Sequence, residues 1–235
     1  MNNNYQMNWQ YNEFKQIGKD YSQKEEVEVY EKTHSQFRDL YRECLDLINN
    51  LNISDNDILV DFGSGTGVFA IEAAKICKKV YAVDISLEML EYSQRKAQKE
   101  SLTNIEFVHS GFLNFTKQTN SVDFVTSTFS FHHLPDFWKK IALKNISNFL
   151  KPGGKLYIKD VVIQDNEPLN NIAKFIRKQT KLGGNFLKED AELHFKEEFS
   201  TYDWIIESML KKTNFEILNK EMEIGLIASY TCKKK

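Results

Sequence analysis

The 235-residue chain has the composition of an ordinary globular protein, with 41% hydrophobic and 27% charged residues. Its 31 basic and 33 acidic residues leave a formal net charge of −2, which argues against a protein held on DNA or RNA by a broad positive surface. The three cysteines, Cys44, Cys77 and Cys232, are far apart and predict reduced, buried thiols. There is no signal-peptide pattern and no apolar run of the ~20 residues that would span a membrane. We therefore expect a soluble, cytoplasmic protein with no membrane partner and no metal site.

The N-terminal quarter predicts a helical arm or cap over residues 1–52. Residues 1–23 show little periodicity, apart from a short helix expected around 11–17. Apolar residues at three- and four-residue spacing over 24–51 predict two helices, broken near 33–35.

Residues 53–235 alternate between strand and helix patterns and predict one α/β domain. A Pro-Gly-Gly sequence at 152–154 predicts a turn before the fifth strand, and a helical insertion over 165–200 is interrupted at Gly183-Gly184. The last two strands are closely connected, which suits an antiparallel edge on a mostly parallel sheet. The predicted strands are 58–62, 79–84, 104–109, 122–126, 155–163, 215–220 and 225–231.

A glycine-rich loop lies directly after the first strand of this domain. Glycines there allow positive φ and let the backbone approach a ligand closely. The pattern alone fits both dinucleotide and adenosyl cofactors, because each needs such a loop. The loop consists of Gly63, Ser64, Gly65, Thr66 and Gly67.

Three neighbouring residues decide between these cofactors. A dinucleotide fingerprint needs a small residue at position 68, where this chain has Val68. Asp61, at the mouth of the loop, would repel a pyrophosphate but attract an α-ammonium group. Asp84 ends the second strand, where a carboxylate accepts hydrogen bonds from ribose hydroxyls. Together they favour a cofactor that joins adenosine to an amino acid.

Four stretches, 59–67, 81–86 with Met89, 122–135 and 149–156, resemble the class I S-adenosylmethionine-dependent methyltransferases that act on small molecules, of type 11/25. The resemblance implies a Rossmann-like three-layer αβα sandwich whose seven-stranded, mostly parallel sheet has an antiparallel last strand. It implies S-adenosylmethionine as the cofactor and S-adenosylhomocysteine as the product. It assigns cofactor contacts to Asp61, Gly63, Gly65, Gly67 and Asp84. We expect further contacts from Ser64, Thr66, Ile85, Met89, Thr128 and Phe129 and, on an N-terminal arm of the kind that closes over the cofactor in such proteins, from Tyr21.

One position departs from the pattern of that family. The third strand there leads into a Gly-Asp pair whose carboxylate takes the adenine amino group, whereas Gly111 stands here in place of the acid. Adenine would then be held by backbone groups at Gly111 and Phe112, by stacking between Ile85 and Phe112, or by a polar group from elsewhere. Core packing is an equally good interpretation of Phe112.

The pair His132-His133 follows the fourth strand, where the resemblance implies that the acceptor pocket begins. A histidine could remove a proton from the acceptor as the methyl group transfers. The alternative is a structural or cofactor-lining role, because proximity alone accelerates much methyl transfer.

Three other functions remain open from the sequence. The chain could methylate RNA or protein, although it has no basic block and no amide-methylating motif after the fourth strand. It could bind the cofactor without catalysis. An NAD-dependent oxidoreductase would explain the glycines and Asp84, but neither Asp61 nor Val68. The sequence also leaves a homodimer open.

Overall fold

The computed structural model describes residues 8–15, 17–18, 27, 30–31 and 38–235. No helix in those ranges is both long and apolar enough to cross a membrane. The helices are α1 (Leu40–Leu51), α2 (Val68–Ala74), α3 (Leu87–Lys99), α4 (Asp136–Phe149), α5 (Pro168–Glu197) and α6 (Asp203–Lys212), with a 3₁₀ turn at Phe131–His133. The strands are β1 (Ile58–Phe62), β2 (Lys79–Asp84), β3 (Ile105–His109), β4 (Val122–Thr128), β5 (Leu150–Ile163), β6 (Thr201–Tyr202), β7 (Phe215–Glu223) and β8 (Ile227–Lys234).

The sheet confirms the predicted fold class. Its strand order is β3-β2-β1-β4-β5-β8-β7, with the two-residue β6 paired to β5 as an addition that the sequence pattern did not predict. The strands from β3 to β5 are parallel, and β8 is antiparallel to both its neighbours. The order reverses between β1 and β4, and ligands bind outside the carboxyl ends of parallel strands at such a switch point.

Two hydrophobic clusters cover the opposite faces of the sheet. Alternate residues of β1 divide between them, because successive side chains of a strand point to opposite faces: Val60 and Phe62 join one cluster, and Leu59 joins the other. Helices bury both faces, which explains why β1 is an almost unbroken apolar run.

Two local predictions were wrong. The described residues around 11–17 form turns instead of a helix, and the Asn12 side chain accepts a hydrogen bond from the Phe14 N–H, which competes with helical pairing. The expected turn at 152–154 is a register shift inside β5, with Gly153 at a φ of 79°. The break in the long helix is confirmed, since Gly183 and Gly184 have non-helical dihedral angles within α5.

The described part of the N-terminal segment lies against the loops that follow β3 and β4. Gln10 donates a hydrogen bond to Asn114, and the Tyr11 hydroxyl donates one to the carbonyl of His133. The segment therefore borders the carboxyl end of the sheet. The two-helix pattern over 24–51 lies partly outside the described residues, and α1 accounts for its second half.

Candidate active site

The glycine loop joins β1 to α2 and has positive φ at all three glycines. Gly67 precedes α2, and a Cβ there would lie 1.8 Å from the Ser93 hydroxyl, so the protein itself fills the space beside it. Gly65 differs, because a Cβ there would meet nothing within 4 Å. Gly65 therefore opens the loop towards empty space where a ligand can approach the backbone.

Asp84 ties this loop to the end of β2. Its carboxylate accepts a 2.7 Å hydrogen bond from the Gly65 N–H and a 2.8 Å bond from the Ser86 N–H. The side chain is buried, and burial raises its pKa although these bonds oppose the rise. Each oxygen retains acceptor capacity for a further donor.

Asp61 lies near the end of β1, opposite Thr126 of β4. Its carboxylate accepts a 2.7 Å hydrogen bond from the Thr126 hydroxyl. Burial, with a smaller contribution from the negative charge of Asp84, raises the pKa of Asp61 to about 7. Two buried acids thus flank the loop, and a bound cation would stabilise their ionised forms.

Two adjoining cavities open at this edge of the sheet. The inner pocket is about 120 Å³ and the outer cleft about 770 Å³. They share Tyr30, Gly63, Gly65, Thr128 and Phe129 as a common border.

Most of the predicted site residues line one of these cavities. The inner pocket is lined by Gly63, Gly65, Asp84, Ile85, Met89, Gly111, Phe112, Thr128, Phe129 and His133. The outer cleft is lined by Asp61, Ser64 and Thr66. Tyr21 lies outside the described residues. The sequence interpretation missed Glu13, Tyr30 and Ser130, which also line the inner pocket.

Phe112 packs in the core and also lines the inner pocket, so stacking on adenine stays a prediction. Its ring stacks on Phe62 with centroids 4.6 Å apart and meets Phe131 edge-on, so most of it belongs to the core. It also contributes to the wall of the inner pocket.

Phe129, on the common border, has a backbone conformation that bulky residues seldom adopt. Its φ is 53°, and its N–H donates a 2.8 Å hydrogen bond to the Lys159 carbonyl. The Arg38 guanidinium lies 5.0 Å from the ring centroid. Such strain is held by surrounding contacts and is frequent at ligand sites.

The two adjacent histidines have different surroundings. His132 is buried, with Nδ1 2.5 Å from Asp160 and Nε2 3.1 Å from Glu198. Burial opposes its positive charge, but the two carboxylates outweigh burial and raise the pKa of His132 to about 9. Glu198 also pairs with His194. We call His132, Asp160, His194 and Glu198 the His132 cluster.

His133 is the member of the pair that lines the inner pocket. Burial, reinforced by the neighbouring positive charge of His132, lowers the pKa of His133 to about 4. Its imidazole is therefore neutral at physiological pH. It can accept a hydrogen bond there, but it is a weak base.

Among the described residues, one group could hold a metal ion. Donor atoms of His132, His194 and Glu198 all lie within 4.8 Å of one another. The imidazole of His132, whose pKa the two carboxylates raise, lies between Asp160 and Glu198 and supplies these buried carboxylates with a counter-charge without a metal. The expectation of no metal site stays a prediction.

Sequence comparison relates the chain to methyltransferases. Residues 59–154 match the model of the methyltransferase domain family. An uncharacterised methyltransferase of Oceanobacillus iheyensis is 27% identical over 188 residues, which cover 80% of this chain and 83% of the relative. One of Geobacillus kaustophilus is 29% identical over 190 residues, covering 80% and 81%. The chain contains a methyltransferase domain.

Solved structures share the fold of this methyltransferase. An S-adenosylmethionine-dependent methyltransferase of Aquifex aeolicus aligns with a TM-score of 0.63 at 18% identity, over 91% of this chain and 99% of the other. A geranyl diphosphate C-methyltransferase of Streptomyces coelicolor, in complex with S-adenosylhomocysteine, aligns with a TM-score of 0.65 at 13% identity, over 83% and 76%. These likenesses confirm the Rossmann-like sandwich of the methyltransferase.

Proposed function

We propose that the inner pocket and the adjoining, loop-facing part of the outer cleft bind S-adenosylmethionine, and that the enzyme transfers its methyl group to a small molecule in the rest of the outer cleft. Several features fit the cofactor. Gly65 faces open space, and the buried Ser64 hydroxyl, on the wall of the outer cleft, has no hydrogen-bond partner among the described residues. A bound polar ligand would supply that partner.

The two buried acids have separate tasks in this proposal. Asp84 accepts hydrogen bonds from the ribose hydroxyls, for which its oxygens retain capacity. Asp61 attracts the α-ammonium group. Because the charge of Asp84 contributes to the raised pKa of Asp61, a cation beside Asp61 relieves an existing repulsion.

S-adenosylmethionine, when bound, supplies a methyl group already activated by a positively charged sulfur. The chain's own contribution is to hold the acceptor in line and to exclude water. His133 lines the inner pocket and not the outer cleft, so its neutral imidazole can orient an acceptor O–H or N–H only where the acceptor reaches across the common border of the two cavities. His132 has both ring nitrogens engaged by carboxylates, and we assign to it the positioning of His133, whose ring centroid is 4.3 Å away.

The outer cleft is the main support for a small-molecule acceptor. Its volume of about 770 Å³ lies within the ~300–1,000 Å³ range of small-ligand sites. Its wall mixes aromatic and charged residues, including Tyr157, Lys155 and Lys159. The fold relative from Streptomyces coelicolor acts on geranyl diphosphate, itself a small molecule.

Transfer of a labelled methyl group tests the proposal. The protein is incubated with methyl-labelled S-adenosylmethionine and, separately, with the metabolite, RNA and protein fractions of a cell extract. We expect label in the metabolite fraction, and no label with Asp84→Ala. Label confined to RNA or protein would overturn the small-molecule acceptor. Binding of the cofactor without transfer into any fraction would indicate a non-catalytic protein.

A further inference from the structure

The N-terminal segment places a buried carboxylate in the wall of the inner pocket. Glu13 is 7% exposed and lines this pocket together with Asp84. Its Oε1 accepts hydrogen bonds from the N–H of Leu113 at 3.0 Å, the N–H of Asn114 at 3.1 Å and the side-chain amide of Asn114 at 2.7 Å. These bonds fix the carboxylate although it lies 100 residues from Leu113 along the chain.

Glu13 occupies the volume that a side chain at position 111 would need. A Cβ on Gly111 would lie 2.2 Å from Glu13 Oε2 and 2.3 Å from its carboxyl carbon. Gly111 is not among the glycines with positive φ, so its backbone does not require glycine. An acid at position 111 and the acid at position 13 therefore exclude each other, and this chain has the second.

The two carboxylates of the pocket are matched to two parts of an adenosine. Asp84 suits the ribose, and apolar side chains suited to a flat base, Ile85, Met89 and Phe112, line the same pocket. Glu13 Oε1 accepts the three shorter hydrogen bonds, whereas the contact of Oε2 with the Leu113 N–H is 3.2 Å long; the backbone of Phe112 also hydrogen-bonds the carboxylate. A carboxylate oxygen accepts hydrogen bonds, and the exocyclic amino group is the donor that distinguishes adenine from hypoxanthine.

We propose that the Glu13 carboxylate accepts a hydrogen bond from the adenine amino group, so that the N-terminal segment supplies the base-specific part of the cofactor site. The inference rests on the proposed function. Glu13, a residue distant in the chain, then takes over the function of the acid that is missing at position 111. Cofactor binding thereby becomes coupled to the docking of the N-terminal segment that carries Glu13.

Calorimetric titration with two ligands tests this role. S-adenosylhomocysteine carries the amino group, and S-inosylhomocysteine has a carbonyl oxygen in its place. We expect the wild type to prefer the adenosyl ligand roughly 10–100-fold. Glu13→Gln keeps an acceptor for the Leu113 and Asn114 donors but presents an N–H₂ group to the base. Its preference should fall to near unity or reverse.

The ratio of the two dissociation constants separates recognition from a structural role. If Glu13 only stabilised the turn at 111–115, Glu13→Gln would weaken both ligands alike and leave the ratio unchanged, which would overturn the proposal. Lys15→Ala, an exposed change in the same segment, serves as the control and should keep the wild-type ratio. A wild type that binds neither ligand would instead refute the proposed cofactor site.

Moving the acid gives a second test. Glu13→Ala should lose the preference for the adenosyl ligand, and Gly111→Asp alone should lower the melting temperature because its side chain meets Glu13. The double variant Glu13→Ala/Gly111→Asp should regain at least part of the preference. A folded double variant whose ratio stays near that of Glu13→Ala would contradict an adenine-binding acid at this location.

Discussion

Replacing Asp61 with asparagine should stabilise the free protein while weakening its affinity for the cofactor. Burial, with the charge of Asp84, raises the pKa of Asp61 from 3.8 to about 7, and this rise corresponds to roughly 4 kcal/mol of stability lost when the carboxyl ionises. The protonated carboxyl of Asp61 contributes this stability fully below pH 3.8, and the contribution is lost as the pH rises through 7. Asparagine keeps an acceptor for Thr126 but buries an N–H₂ group, which costs about 1–3 kcal/mol. The net expected gain at pH 8 is about 1–3 kcal/mol.

Urea and thermal unfolding at pH 8 and pH 5 measure this gain. Asp61→Asn should melt several degrees above wild type at pH 8, since about 1 kcal/mol shifts a chain of this size by roughly 2–4 °C. At pH 5 the difference should largely vanish, because wild-type Asp61 is then protonated. Calorimetry should give roughly 10–100-fold weaker binding of S-adenosylhomocysteine at pH 8, since the attraction to the α-ammonium group is lost.

Asp55→Asn is the charge-matched control, because Asp55 is exposed in the turn before β1, whereas the loop follows the opposite end of that strand. It should change neither quantity. An Asp61→Asn protein less stable than wild type at pH 8, or one that binds the cofactor product with wild-type affinity, would refute the assignment of Asp61 as a strained cofactor ligand.

Four further results are expected. Gly67→Ala should lower the free energy of unfolding by about 2 kcal/mol or more in urea titrations, because its Cβ meets Ser93 at a left-handed φ. Gly65→Ala should destabilise the free protein by only about 1–2 kcal/mol but abolish its stabilisation by S-adenosylhomocysteine. If the Gly65 and Gly67 variants had equal effects on stability and on binding, the assignment of Gly65 to the ligand and of Gly67 to packing would be wrong. The two carboxylates raise the pKa of His132 to about 9 although burial opposes this rise, so the free energy of unfolding should fall by about 3 kcal/mol from pH 6.5 to 9.5 as His132 loses its proton. His132→Gln should remove this pH dependence, and an unchanged dependence would contradict the ion pairing. Elemental analysis should find no stoichiometric metal, and a chelator should leave the melting temperature unchanged. If the wild type instead held one equivalent of a metal ion that Glu198→Gln lacks, the His132 cluster would be a metal site.

Local sequence patterns predicted the elements that form the cofactor edge. The apolar run 58–62, the alternating glycines and the helical spacing after them specify a strand, a loop and a helix, because each pattern reflects contacts between near neighbours. Where a side chain competed with the backbone, as at Asn12, the pattern misled and a helix was predicted in place of turns.

The candidate site was predicted only as far as its residues follow the ends of strands. Asp61, Asp84 and Thr128 lie at carboxyl ends that parallel pairing brings to one edge, so their proximity follows from topology. Glu13 follows no strand and belongs to no motif, and its position became evident only from its contacts with Leu113 and Asn114.

By itself, the sequence determined the α/β class, the loop that can approach a cofactor, and Asp61 and Val68, which favour adenosylmethionine over a dinucleotide. The tertiary structure decided which side chains lie next to one another in the site. It made His133 the pocket-lining histidine and engaged His132 with Asp160 and Glu198, so the pair differs in charge at neutral pH. It also brought Glu13 against Gly111. The physical reason is that burial and pairing across long separations set the charge and the accessibility of a side chain, and neither is encoded in its near neighbours.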